Sequence, residues 1–172
     1  MNLNRGLSVI LTLFVFFVAY RWLYGGRSYV QGSDGKTYGI IERKESWKNK
    51  QILERFTEIS SRVQKLCNYC VENNYPDFGR ANRMAKRWKR CKIQETKDHE
   101  KSVAYVVDKG DVLNLCVTNK KTKKLENINS TMFVVLHELA HMMSVSWGHN
   151  DEFWNNFRIL LAEAHSLGIY HF

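Results

Sequence analysis

The sequence predicts an α+β domain in which a small β-sheet or hairpin packs on one apolar helix, behind an N-terminal transmembrane helix. Three observations carry that prediction. Apolar residues recur in alternating steps of four and three along residues 45–73, the period of a helix with a single buried stripe. Two β-branched runs flank "DKGD" at residues 108–111, the pattern of a β-hairpin. A charge-free run, "GLSVILTLFVFFVAY", occupies Gly6 to Tyr20.

Size and charge set the outer limits. At 172 residues the chain is one domain's worth, which excludes a multidomain machine. A net charge of +9 points to a polyanionic neighbour, either nucleic acid or an anionic lipid face. The excess lies before Ser130, because from there onward Arg158 is the only Lys or Arg, against Glu138, Asp151, Glu152 and Glu163. Cys67, Cys70, Cys91 and Cys116 lack disulfide-framework spacing and are read as reduced thiols. "CNYC" shares a helix face with Leu66 and Val71, which favours a core position over half of a zinc site or a redox pair.

The elements follow in order. Fifteen helical residues from Gly6 to Tyr20 span about 22 Å, short of a hydrocarbon core of roughly 30 Å. Arg21 can snorkel, and "WLY" at Trp22 to Tyr24 extends the span with interfacial aromatics. A single-pass anchor over residues 1–24 is the expectation. A cleaved signal peptide is the alternative, although no small-x-small cleavage site is clean. Arg5 set against Arg21, Arg27 and Lys36, together with the cysteines, favours a cytosol-facing domain. Residues 25–41, rich in Gly, Ser and Asp, read as a linker, which leaves residues 42–172 for the folded domain.

In the first long helix Ile52, Phe56, Ile59, Val63, Leu66 and Cys70 form the stripe, and "NNYPDFG" stops it. A second helix is expected over Arg80 to Lys89. Its basic run makes Arg83, Lys86, Arg87, Lys89 and Arg90 the contact residues for nucleic acid or an anionic surface, with Trp88 able to stack a base. The competing reading is a solvated face with Trp88 turned into the core. The hairpin over residues 102–117 places Gly110 in its turn, and the lysine-rich "TNKKTKKLEN" reads as a solvated loop.

The last third carries chemistry. Asn129 or Ser130 can cap a helix running through "TMFVVLHELAHMMS" to about Ser144. His137 and His141, four apart, project from neighbouring turns of one face and can reach one metal ion. Glu138, about 100° around, stands beside the metal rather than on it, where it can hold a water and take its proton. This is the H-E-x-x-H arrangement of zinc peptidases, which needs a third protein ligand. His149 is the natural choice, because Gly148 turns the chain back and Asn150 or Asp151 caps the next helix. Glu163 and His165 are rivals on the flanks of the final helix.

The segment "VLHELAHMMSVSWGHNDEFW" resembles the WLM metalloproteases, relatives of the SprT-like proteases. The preceding "YVVDKGDVLNLCV" is similar to the strand pair of that family, so the resemblance covers roughly Lys86 to Tyr170. It implies a minimal zincin fold, one Zn2+ held by His137, His141 and His149, and Glu138 as general base. It also implies an edge strand that holds an extended peptide. The best-known members cut proteins crosslinked to DNA, and short membrane-anchored versions resemble proteins of large DNA viruses, which suits a virion or host-membrane location. The function so implied is a membrane-anchored zinc metalloendopeptidase acting on a protein or peptide substrate. The alternative is a membrane scaffold of zincin fold that holds nucleic acid or anionic lipid on its basic face. The group that stabilises the oxyanion is left open, with Tyr170 and His171 as candidates.

Overall fold

The computed structural model describes residues 3–24, 27–97, 103–119 and 121–172. Along the chain run α1 (Leu3–Tyr24), β1 (Arg27–Gln31), β2 (Thr37–Ile41), α2 (Ser46–Glu72), α3 (Phe78–Arg90), β3 (Lys92–Glu95), β4 (Ala104–Val107), β5 (Val112–Leu115), α4 (Ile128–Met143) and α5 (Asp151–Ser166). The strands form one mixed sheet in the order β1-β2-β3-β5-β4. Antiparallel hairpins β1–β2 and β4–β5 make its two ends, and β3 joins them by pairing parallel to both β2 and β5. At the centre Ile93 faces Tyr38 on one side and Leu113 on the other, and all three are buried.

The stretch expected to be a linker is the first hairpin. Gly32, Ser33, Asp34 and Gly35 make its turn, where Gly32 N donates to Lys36 O at 2.8 Å and Gly35 takes a φ of 78°. The flanking residues are strand-formers, and Tyr38 is fully buried with its ring 5.8 Å from Phe56. The folded domain therefore begins with β1 rather than at residue 42.

The transmembrane helix is also corrected. Among the described residues no helix is long and apolar enough to cross a membrane. Helix α1 has 22 residues, but charges at Arg5 and Arg21 leave a charge-free run of about 22 Å, too short for a hydrocarbon core of roughly 30 Å. The single-pass anchor, the cytosol-facing orientation and the virion or host-membrane location drawn from it do not stand.

The core follows the periodicity. On α2 the stripe Ile52, Phe56, Ile59, Val63, Leu66 and Cys70 is buried throughout. Cys67 and Cys70 lie in this core as free thiols, and burial pushes them up to about 12 and about 11 respectively. Helix α3 contributes Ala81, Met84 and Trp88, and α5 contributes Phe153, Phe157, Leu160 and Ala164. Helix α4 lies among α3, α5 and β4. In the β4–β5 turn Gly110 has a φ of 122°, and a Cβ there would stand 3.1 Å from Arg87 Cβ and 3.3 Å from Met142 Cγ. That glycine is what lets the hairpin come down on α3 and α4.

Candidate metal centre

Helix α4 starts at Asn127, whose Oδ1 accepts from Asn129 N at 2.7 Å, two to three residues before the expected cap. One turn carries His137 and Glu138, and the next carries His141. The helix ends at Ser144, where the backbone turns extended and the side-chain Oγ donates to Ala140 O at 2.7 Å. Gly148 then adopts a φ of 81°; a Cβ there would meet nothing within 4 Å, so backbone conformation rather than space asks for glycine. Helix α5 is capped by Asn150 Oδ1, which accepts from Phe153 N at 3.1 Å. The connector between the two helices thereby folds His149 back over α4.

The three histidines meet. His149 Nε2 lies 3.0 Å from His137 Nε2 and 3.2 Å from His141 Nε2, and the potential ligand atoms of the three all fall within 4.8 Å of one another. Nitrogens at about 2.0–2.1 Å from a tetrahedral zinc stand about 3.3 Å apart, so this spacing fits one ion of that size. Phe153, fully buried, is their floor, with its ring centroid 4.8, 4.3 and 4.6 Å from those of His137, His141 and His149. Burial lowers the pKa of His137, assisted by His149. Burial likewise lowers His141 to about 4, helped by the two other imidazoles and Lys109. Both favour the neutral, lone-pair-bearing form that a metal requires.

Glu138 is 6% exposed, and burial raises its carboxyl to about 7. Its Oε2 accepts from Val106 N of β4 at 3.1 Å. Together these groups line a cavity of about 350 Å³ whose other walls are Ala104, Tyr105, Trp147 and Lys109. Among the described residues β4 is the last strand of the sheet, so its outer side faces this cavity.

Other expected site residues lie elsewhere. Arg83 and Arg87 turn inward: Arg83 Nη1 donates to Met143 O at 2.6 Å, and Arg87 Nη1 to Met142 O at 2.6 Å and Ser144 O at 2.8 Å. Arg90 pairs with Asp111 at 3.2 Å, while Lys86 and Lys89 are exposed. Trp88 is buried with Lys36 Nζ 4.9 Å over its ring, which removes it as a stacking platform. Glu163 and His165 stand outside the histidine group; the His165 ring lies tilted against Phe172 with centroids 4.8 Å apart. Neither Tyr170 nor His171 lines the cavity. Tyr170 sits against Phe133, and His171 N donates to Asn129 Oδ1 at 2.8 Å. Phe153, Lys109, Glu152 and the Val106 N–H were not singled out from sequence; "GHNDEFW" contains two of them without showing their partners.

Fold and site together define an α+β domain with three converging histidines on a helix and its following loop. No family model matches the chain. The fold is that of Wss1: its crystal structure from Saccharomyces cerevisiae superposes with a TM-score of 0.55 at 16% identity, covering 75% of this chain and 87% of that one. A Wss1 mutant from the same organism gives the same TM-score over 76% and 92%. In sequence the chain is 31% identical over 117 residues, 65% of its length, to an uncharacterized protein of Acanthamoeba polyphaga mimivirus. It is 36% identical over 80 residues, 45% of its length, to one of Invertebrate iridescent virus 6, and 37% over 71 residues, 41%, to one of Invertebrate iridescent virus 3. The chain spans about half the length of these relatives, 58%, 44% and 44% respectively.

Proposed function

We propose that the chain is a metal-dependent endopeptidase of the zinc type, cutting an extended peptide laid along β4. The observation that carries this reading is the convergence of three imidazole nitrogens beside a buried carboxylate and the strand that is last in the sheet among the described residues. The likeness of "HELAH" and "GHNDEFW" to the WLM metalloproteases and the Wss1 fold support it. A divalent ion held by His137, His141 and His149 would supply Lewis acidity towards a water and the scissile carbonyl.

The chain's own groups do the rest. Glu138, fixed through one oxygen by Val106 N–H, offers the other to a water proton and can return that proton to the leaving amine. Strand β4 runs in the same direction as α4: Val103 lies with Thr131 and Val134 at one end, and Lys109 with Ser146 at the other. A peptide added antiparallel to β4 therefore points its C-terminal half towards a largely apolar recess of about 230 Å³ lined by Val103, Leu115, Cys116 and Val134. An apolar residue just after the cleaved bond is the matching substrate feature.

Metal content of the full chain, together with hydrolysis of unfolded casein, tests this. One equivalent of zinc is expected in wild type and Glu138→Gln, its loss in His149→Ala, and turnover in wild type alone. A folded wild type without metal, or proteolysis that survives Glu138→Gln, would overturn the reading. A second reading, contact with a nucleic acid, keeps support from the +9 charge and from exposed Lys86 and Lys89. Binding of a single-stranded oligonucleotide that weakens with salt and with Lys86→Ala is its expected signature, and no binding at low salt would remove it.

A further inference from the structure

The connector that delivers His149 is held to a degree that its exposure does not suggest. Val145 is 61% exposed and Trp147 73%, yet five consecutive carbonyls, Met142 to Ser146, each accept from a cation of another element. Arg83 and Arg87 of α3 take the first three. Lys109 of the β4–β5 turn takes the next two, Val145 O and, at 2.8 Å, Ser146 O, with its Nζ 4.4 Å over the Trp147 ring. From the opposite side Glu152 accepts from Val145 N and Ser146 N, both at 2.8 Å, and from the Ser146 hydroxyl. Burial works against ionised Glu152, but the Ser146 hydroxyl, the two amides and Arg83 hold its carboxyl down to about 2.

The last carbonyls of a helix have no partner within it, and a left-handed glycine is the common remedy. Here Ser144 leaves the helix extended, so those carbonyls turn outward and need donors. Three cations supply them, and one carboxylate accepts from the amides of Val145 and Ser146, the latter three residues ahead of His149.

We propose that Arg83, Arg87, Lys109 and Glu152 are positioning residues for the third metal ligand: they fix the connector so that His149 is preset against His137 and His141 before any metal arrives. The inference rests on the reading of the three histidines as a metal site. A preset ligand spares the ordering that a mobile loop would need on binding, so the frame acts on metal affinity. Outer-shell partners of metal ligands contribute on the order of 10- to 100-fold in affinity when removed.

The experiment is zinc affinity of the full chain by competition with a chromophoric chelator, with the visible spectrum of the Co2+ form as a second readout. Glu152→Gln and Lys109→Met are compared with Lys50→Met, an exposed charge change on α2. Zinc affinity is expected to fall about 10- to 100-fold in the first two, with an altered Co2+ spectrum, and to stay unchanged in Lys50→Met. Folded variants that bind zinc as wild type does, even with a lowered melting temperature, would overturn the proposal and leave the frame a purely structural device. A wild type that binds no zinc would instead sink the metal site itself. If either variant does not fold, Arg87→Lys, which keeps the charge but not the guanidinium that spans two carbonyls, is read in the same assay, where unchanged affinity has the same overturning force.

Discussion

Helices α1 and α4 are both long and largely apolar, and they end in opposite environments. Every side chain from Ser8 to Val18 of α1 is exposed, with Phe16 at 69%, and none joins the core. On α4, Met132, Val135, Leu136, Leu139, Ala140, Met142 and Met143 are all fully buried. Apolar content does not distinguish them. Helix α4 has neighbours on several sides, namely α3, α5 and β4, and its polar groups sit where those neighbours can use them. Helix α1 between Ser8 and Val18 carries only Ser8 and Thr12 as polar side chains, and Thr12 Oγ1 donates to Ser8 O within the helix rather than to another element. Burial comes from what an element is packed against, and so does chemistry: the same desolvation that anchors α4 raises Glu138 and lowers His141.

The contrast can be broken at several strengths. The largest effect belongs to Glu138→Gln, which is expected to lower turnover by a factor on the order of 10² to 10⁴ in steady-state peptide hydrolysis while zinc stays bound; a turnover within tenfold of wild type would detach catalysis from α4. Next is stability. Leu136→Ala should cost about 2–5 kcal/mol in denaturant unfolding, and Phe14→Ala on α1 within about 0.5 kcal/mol of nothing. Comparable losses at both positions would show that α1 packs as α4 does.

The smallest effect is the pH dependence of the metal-free chain. Burial raises folded Glu138 from its ordinary 4.5 to about 7. Between those values the unfolded chain gives up a proton that the folded chain keeps, so this group's contribution is whole below pH 4.5 and is lost as pH rises towards 7. Glu138→Gln abolishes the loss, and the melting-temperature difference, variant minus wild type, should grow from pH 4 to pH 7.5. His137 and His141 titrate in the same window in both chains and cancel in that difference. A difference independent of pH would contradict the burial assigned to Glu138.

Much of this was legible in the sequence, for identifiable reasons. The α2 stripe and the "HELAH" helix obey a local period, and Gly110 and Gly148 mark turns by residue type alone. The β1–β2 hairpin was hidden because its turn residues dominate a short stretch, and the pairing of β2 to β3 joins segments more than fifty residues apart. The basic run on α3 was misleading in a different way. Arg83 and Arg87 reach carbonyls 60 and 55 residues downstream, and nothing local shows that a guanidinium will be used inside the molecule. The histidine set was readable because its three members span thirteen positions; Lys109 and Val106 complete the site from another hairpin altogether.

The β4–β5 hairpin touches the α4 side at two points, Val106 N–H on Glu138 and Lys109 of the turn on Val145 and Ser146. Between those points the chain leaves the strand at Val107 and turns through Asp108 and Lys109, both in the left-handed region at φ 47° and 54°. A residue inserted between Val106 and Lys109 would rebuild that turn and shift either the Val106 contact with Glu138 or the Lys109 contact with the connector that carries His149. The same insertion in the lysine-rich loop after β5 would change only the length of a connection. Length is therefore constrained between Val106, which acts through its backbone, and Lys109, which acts through its side chain, and less so in that loop.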